Sequence, residues 1–173
     1  MTQAIVYTRP GGGVDVCYPS SECLEAMSCG GLWDDRPRGY LDEQIERQVA
    51  AGIHRWAAER FARAVQFGGC SQAEAFAIIR DRDCGHMGTG HEIWDLADVP
   101  KDRWFRDAWR RSHNGGPIGV DMAAARKIQL TRIGEAAKRG KAGLQLARWR
   151  ERMRQAETPD QLRQVWPRGL AWH

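Results

Sequence analysis

Apolar residues recur every three or four positions along three segments of the chain, a spacing that predicts helices with one buried side. The segments cover residues 40–67, 72–82 and 122–156, and in the first of them Gly52 is a candidate point for a bend or a break. In the first segment the predicted buried positions are Leu41, Ile45, Val49, Ile53, Trp56, Ala57, Phe61 and Val65. Before the second segment, Ser71 and Glu74 have the spacing of a capping box, in which each side chain accepts a hydrogen bond from the other residue's backbone amide. The chain is therefore predicted to be mostly helical.

Alternating apolar and polar residues at the start of the chain indicate strands rather than helices. Residues 4–18 contain two such runs, and the three glycines at 11–13 supply the positive φ angles of a tight turn, which predicts a β-hairpin. Short β-rich runs at 93–96 and 118–120 are expected to join the same antiparallel sheet. The predicted fold class is α+β, mostly helical, with a small antiparallel sheet, packed helices and a basic C-terminal helical extension.

A shorter helix is expected over residues 101–111, because Pro100 is well suited to a first helical position. Within it, Phe105 and Trp109 are four residues apart and stack on one helical face. Aromatic pairs at this spacing usually belong to a core. Trp109 is accordingly predicted to be buried.

The two ends of the chain differ in charge, and this divides the molecule more clearly than any linker does. Residues 1–100 contain nine Lys and Arg against fifteen Asp and Glu, a net of −6, whereas residues 101–173 contain seventeen against seven, a net of +10. The predicted organisation is a mixed body over 1–120, with a helical insert at 40–82, and a basic helical extension over 121–173. Such asymmetry suggests an acidic partner: nucleic acid, another protein, or the chain's own acidic half.

Composition excludes several classes of protein. The chain has 173 residues, of which 42% are hydrophobic and 28% charged, as in a soluble globular domain. No apolar run approaches the roughly 20 residues of a membrane helix, and the first residues lack the features of a secretory signal. The five cysteines include no closely spaced pair, so reduced thiols in a cytoplasm are expected.

Candidate catalytic and metal-binding residues are few. Cys70, Cys84, His86 and His91 are the best zinc candidates, but their spacing matches no standard zinc motif. A Cys–His nucleophilic pair in the same loop would need an orienting group and an oxyanion site. Residues 134–142 depart from a phosphate-binding loop in glycine spacing and in the residue after the lysine. We therefore predict no catalytic, metal-binding or cofactor-binding residue, and no enzymatic activity.

Three stretches of the sequence resemble a group of small phage and prophage proteins from alphaproteobacteria. Residues 100–109 read PKDRWFRDAW and residues 120–126 read VDMAAAR, close to the group's P-x-D-R-x-F-R-D/N-A-W and V-D/N-M-x-x-A-R patterns. Residues 5–14 are similar to the start of these proteins, while Trp104 replaces a usual Thr. The resemblance implies a phage-encoded, non-enzymatic protein from the neighbourhood of tail or tail-fibre genes, and it implies no catalytic site.

The long helical segment is the candidate interaction surface. As one continuous helix over 122–156 it would present two apolar sides, and a surface helix needs only one. Burial against two neighbours would explain this, and so would a break at Gly140–Gly143 that gives two ordinary amphipathic helices. Self-association through the second apolar side is the simplest hypothesis for the continuous helix. The predicted partner-binding residues are Lys127, Lys138, Lys141, Leu146, Arg148, Trp149, Arg152 and Met153.

The leading functional prediction is a phage-encoded protein that acts by protein–protein binding, as a virion or tail structural or assembly protein. The alternatives are an inhibitor of a bacterial defence system, of the anti-CRISPR type, and a basic nucleic-acid-binding protein. The expected partners are proteins, including a second copy of the chain, with nucleic acid or a nucleoprotein as the alternative for the basic half, and no membrane. The expected location is the host cytoplasm or the virion.

Overall fold

The N-terminal hairpin forms as predicted, because Gly11 and Gly12 adopt φ angles of 92° and 82° at its turn. The computed structural model describes residues 3–139 and 146–169. Three antiparallel strands, β1 (Gln3–Thr8), β2 (Val14–Cys17) and β3 (Thr89–Asp95), are arranged in the order β2-β1-β3. Strand β1 is bonded on both sides, and its residues from Ala4 onward are buried.

Four helices follow in the first part of the chain: α1 (Ser21–Cys29), α2 (Tyr40–Ala50), α3 (Arg55–Phe67) and α4 (Gln72–Ile79), the last continuing into a π-helical turn at Arg80–Cys84. Helices α1, α3 and α4 pack with the sheet, whereas α2 packs on α3. The predicted segment 40–67 is thus two helices, and Gly52 at φ 92° lies in the break. This break changes the orientation of the second helix relative to the first. Trp56, expected in the core, is therefore 51% exposed near the start of α3.

The core of this first part of the molecule lies between the sheet and helices α1, α3 and α4. The Ser71–Glu74 capping box at the start of α4 is confirmed, with both reciprocal hydrogen bonds present. It begins a helix whose apolar residues face inward. The largest fully buried side chains here are Ile5, Val6, Val14, Met27, Val65, Phe76 and Ile79.

The region after residue 100 differs from the expected helix and third sheet strand. Residues 106–108 form a 3₁₀ turn, and β4 (Trp109–Ser112) pairs with β5 (Gly115–Val120) in a separate two-stranded sheet. The prediction that 118–120 joins the N-terminal sheet is therefore wrong. Trp109 is buried as predicted, 2% exposed, but as a strand residue. Trp109 and Arg111 face inward while their neighbours are more exposed, which is strand rather than helix periodicity.

The long C-terminal segment is not one helix. Its described parts are α5 (Met122–Arg139) and α6 (Leu146–Arg154), followed by α7 (Pro159–Gln164), which begins with a second capping box at Thr158. The side chain of Arg126, near the start of α5, donates a hydrogen bond to the carbonyl oxygen of Met153, near the end of α6. The two helices therefore run back along each other. The proposed break at Gly140–Gly143 lies outside the described residues.

The chain folds into two compact units. The first comprises residues 1–99 with 112–115, and the second comprises 100–111 with 116–173. The boundary is therefore near residue 100 rather than at 120, because Phe105 and Ala108 belong to the same core as α5, α6 and α7. Residues 121–173 thus form the major part of the second unit. Among the helices of the described ranges, none combines the length and apolar character that crossing a bilayer requires.

Candidate partner-binding surface

Positive charge is concentrated on the two helices that run back along each other in the second unit. Helices α5 and α6 together contain nine Lys and Arg but only two Glu. One of the two acids, Glu151, is 2.6 Å from Arg154, so it neutralises a single cation. The two structural units also reproduce the division of charge along the sequence, with a net of −6 in the first and +10 in the second. The second unit therefore presents a strongly basic surface.

Most of the predicted basic contact residues are accessible. Lys127 and Lys138 on α5 and Arg148 and Arg152 on α6 are all exposed. The predicted Lys141 lies outside the described residues. Leu146 is the first residue of α6, but its side chain is also outside the described part of the structure. The basic part of the predicted surface is thus present on both helices.

Two of the predicted apolar contact residues, Trp149 and Met153, pack in or against the core of the second unit. Met153 is 2% exposed and packs in the second core, so the expectation that it mediates self-association is wrong. Trp149 is half-buried against the same core, and the Arg152 guanidinium lies 5.0 Å from its ring centroid. A helix with two apolar sides needs a neighbour on each side. For α5 these neighbours belong to its own unit, because α6, α7 and the 3₁₀ turn all pack on it.

A shallow groove lies between α5 and α6, and we call it the α5–α6 groove. Its volume is ≈ 270 Å³ and its surface is almost wholly apolar. Leu130 and the buried Met153 contribute uncharged side chains, whereas every other lining residue is cationic. The complete lining is Arg126, Lys127, Leu130, Arg150, Met153 and Arg154.

Arg126 fixes the geometry of this groove. Its Nε donates to the carbonyl oxygen of Met153 at 3.1 Å, and its Nη2 donates to the carbonyl oxygen of Ala156 at 2.9 Å. Met153 belongs to the last turn of α6 and Ala156 follows two residues after the helix ends, a region where positive charge is favoured. Arg126 thereby holds the end of α6 beside the first half of α5.

A second cleft lies on the other side of α5. The α5 residues that line this cleft are roughly half a turn around the helix from the α5 residues that line the groove. We call it the tryptophan cleft, and its volume is ≈ 470 Å³. The Arg132 guanidinium stacks 4.1 Å from the Trp104 ring centroid, and Trp166 meets the same ring edge-on at 6.0 Å. Its lining is Arg103, Trp104, Arg132, Glu135, Arg139 and Trp166.

Gln129 holds this aromatic cluster in place through hydrogen bonds. The side chain is 0% exposed, and its Oε1 accepts a hydrogen bond of 2.7 Å from Trp104 Nε1. Its Nε2 donates to the carbonyl oxygen of Val165 at 3.0 Å. Both ends of the buried amide are therefore bonded, as the cost of burying an unpaired polar group requires.

The start of α5 is fixed electrostatically as well as by packing. Asp121 Oδ1 accepts hydrogen bonds from the backbone amides of Ala123 at 2.9 Å and Ala124 at 3.1 Å. The bond from Ala124 is the main reason that the pKa of Asp121 is below its ordinary value, with Ala123 and Arg110 acting in the same direction. Asp121 therefore caps the N-terminus of this helix.

The zinc and nucleophile candidates Cys70, Cys84, His86 and His91 all belong to the first unit. Cys84 is buried, and both its hydrogen bond with Cys17 and its burial raise the pKa of its thiol. His91 Nε2 lies 2.9 Å from the Cys84 carbonyl oxygen, and its ring stacks on Tyr7. Burial is likewise the main reason that the pKa of Tyr7 is raised to about 12. Across the described residues, no three His, Cys, Asp or Glu side chains are arranged to hold a metal ion.

The structure adds residues to the surface that sequence reasoning missed. Arg126, Leu130, Arg150 and Arg154 complete the α5–α6 groove, and they come together only because the two helices fold back on each other. A helical wheel drawn for one continuous helix separates them. The sequence signal that could have found them is the pair of glycines at 140 and 143, read as a turn.

Comparison of the chain with family models, with curated proteins and with solved structures finds no match. The functional interpretation therefore depends on the residues of the chain and on their arrangement.

Proposed function

We propose that this is a non-enzymatic protein that works by binding an acidic partner protein through the basic surface of its second unit. The observation that carries the proposal is the charge on α5 and α6, nine cations against two acids, in a unit with a net charge of +10. Like charges packed at this density repel one another, and an acidic partner relieves that repulsion while it gains charge-assisted hydrogen bonds. Complementary charge also accelerates association and favours the correct partner.

The biological setting that we propose is the virion or its assembly. The resemblance of residues 100–109 and 120–126 to phage and prophage proteins supports a phage-encoded role near the tail genes. A virion or assembly protein needs binding surfaces rather than a catalytic centre, and the basic helices supply such a surface.

Phage particles test this proposal directly. Purified particles are analysed by mass spectrometry for the chain, and assembly extracts are analysed for tail proteins that copurify with it. We expect the wild-type chain to be retained and Arg148→Glu/Arg152→Glu to be lost, because both side chains are exposed cations on α6. Arg63→Glu, which reverses an exposed cation on α3 of the first unit, is the matched control and should be retained. Absence of the wild-type chain from both preparations would contradict the proposal.

The tryptophan cleft favours nucleic acid as a second candidate partner. Trp104 and Trp166 lie among three arginines there, and aromatic rings with arginines bind bases and phosphates in single-stranded nucleic acids. Fluorescence anisotropy with a labelled single strand at several salt concentrations separates the two candidates. Binding to nucleic acid falls steeply as salt rises, in proportion to the phosphates contacted. Saturable binding at physiological salt that Arg139→Glu abolishes would favour the nucleic-acid function.

A further inference from the structure

The α5–α6 groove combines an apolar floor with a ring of positive charge. Leu130 and Met153 provide the floor, and four cationic side chains surround it. Its ≈ 270 Å³ is smaller than the roughly 300–1,000 Å³ of pockets that enclose whole small ligands. A groove of this size and openness suits one apolar side chain presented by a larger molecule.

We propose that the groove binds an acidic segment of a partner protein, with one apolar side chain over Leu130 and carboxylates on the surrounding cations. This inference rests on the proposed function and specifies the chemistry of the partner. Lys127 and Arg150 are exposed and provide the contacts to the carboxylates, whereas Arg126 is a positioning residue that holds the end of α6 in place. Glu151 is paired with Arg154, so the rim keeps an excess of positive charge.

Charge complementarity is the reason for choosing this occupant. Arginine binds carboxylates through two parallel hydrogen bonds, and such bonds are stronger where an apolar floor excludes water. A wholly acidic segment would leave the partly exposed Leu130 uncovered, and a wholly apolar one would bury the cations without partners. A segment with a single apolar anchor between acidic residues satisfies both requirements.

The probe is a short fluorescent peptide of Asp and Glu with one central Leu, and its partner probe has Ser in place of the Leu. Anisotropy is measured with the full chain at about 0.15 M salt, where exposed charges more than ~8 Å apart are largely screened. We expect saturable binding of the Leu peptide, and binding of the Ser peptide that is weaker by roughly tenfold to a hundredfold, from the lost apolar burial.

Two charge reversals in the second unit locate the binding site. Arg150→Glu changes the groove, whereas Arg168→Glu makes the same charge change at an exposed residue of the same unit that does not line it. We expect about a tenfold or greater loss of affinity for Arg150→Glu and less than about a threefold loss for Arg168→Glu. Circular dichroism and thermal unfolding establish that both variants remain folded.

Equal losses for the two variants, or equal binding of the two peptides, would overturn the groove proposal while leaving a generally acidic partner in place. Self-association of the wild-type chain at the same salt, abolished by Arg150→Glu, would identify a second copy as the occupant and would also overturn it. Failure of the proposed function is a different result, because the chain is then absent from both phage particles and assembly extracts.

Discussion

Gln129 shows how a single buried polar residue organises the second unit, because its amide joins Trp104 to the backbone at Val165. Gln129→Leu keeps most of the volume and removes both hydrogen bonds. We expect the free energy of unfolding to fall by about 1–3 kcal/mol, since the acceptor and the donor lose these partners inside the core. Urea unfolding followed by tryptophan fluorescence measures the change.

The control for this substitution is Gln164→Leu, at the exposed end of α7. It makes the same chemical change outside the core and should alter stability by no more than about 0.5 kcal/mol. Equal losses in the two variants would show that the amide of Gln129 contributes nothing specific.

Two tryptophans test the assignment of core and surface. Trp109 is 2% exposed and Trp56 is 51% exposed. Replacing Trp109 with Ala removes a large buried ring, so we expect a loss of roughly 3–5 kcal/mol. Trp56→Ala should cost much less, because half of that side chain already contacts water. Thermal unfolding of both variants measures the two losses of stability. A Trp109→Ala protein as stable as wild type would refute the assignment of Trp109 to the core.

These two tryptophans also mark what residue spacing can and cannot predict. Trp109 was predicted to be buried, correctly, although its backbone is a strand rather than a helix. Trp56 keeps the helical spacing of its neighbours, but that spacing assumes a continuous helix through Gly52. The side of a helix that a ring occupies depends on where the helix begins, and spacing alone does not give that position for Trp56.

At the scale of elements, the first unit depends on a very close approach between the end of α1 and the end of α3. A Cβ on Gly68 would lie 2.5 Å from the backbone carbonyl carbon of Cys29, whereas a Cβ on Gly69 would meet nothing within 4 Å. Both glycines have positive φ angles, 67° and 82°, so a side chain strains the backbone at either position. Comparing the same substitution at Gly68 and at Gly69 therefore distinguishes the cost of steric contact from the cost of backbone strain.

We expect Gly68→Ala to lower the free energy of unfolding by about 1–3 kcal/mol more than Gly69→Ala does, because only the first forces the two helices apart. Chemical denaturation of both variants gives the difference. Indistinguishable losses would mean that the junction adjusts without cost, and that backbone conformation alone selects glycine there.

The end of α6 depends on Arg126 from α5, and this dependence is also testable. Arg126→Ala removes two hydrogen bonds to carbonyl oxygens, and hydrogen bonds to a charged group each contribute about 1.5–3 kcal/mol. We expect a loss of at least about 1.5 kcal/mol in thermal unfolding. Lys127→Ala is the control, since the adjacent side chain is exposed and has a similar charge. A smaller loss in Arg126→Ala than in Lys127→Ala would contradict the positioning role.

The elements that the sequence predicted correctly are those marked by local chemistry. Capping residues mark the start of α4, and glycines mark the N-terminal hairpin turn. The errors concern longer-range choices. Residues 118–120 have strand character, but nothing within them specifies pairing with β4 rather than with β1. Similarly, the groove forms because α6 folds back on α5, and the apolar periodicity within each helix does not predict that arrangement.

At the scale of the whole molecule, the division of charge was the most reliable guide to organisation. The change of sign near residue 100 coincides with the boundary between the two units, although the predicted domain boundary was at 120. The net charge changes at the boundary between the units because each unit has its own solvated surface. The position of a sequence motif does not have to coincide with that boundary. The resemblance motif at 100–109, which was assigned to the first domain, lies in the second unit.

The charge difference also predicts how copies of the chain interact. The first unit has a net charge of −6 and the second +10, so the acidic unit of one molecule attracts the basic unit of another. At about 0.01 M salt the screening length is ~30 Å and this attraction extends across a unit, whereas at about 0.15 M it is ~8 Å. We therefore expect light scattering to show association at low salt and monomers at physiological salt.

An apolar interface would give the opposite dependence on salt, and the structure indicates where it would have to lie. Within the described residues, the exposed large apolar side chains all belong to the first unit, among them Leu32 and Phe67, because Met153 and Trp149 are used in the second core. An oligomer that persists at about 0.5 M salt and is dissociated by Phe67→Ser would contradict charge-driven association. Trp149→Glu, by contrast, should act on stability rather than on association, since that ring packs within its own unit.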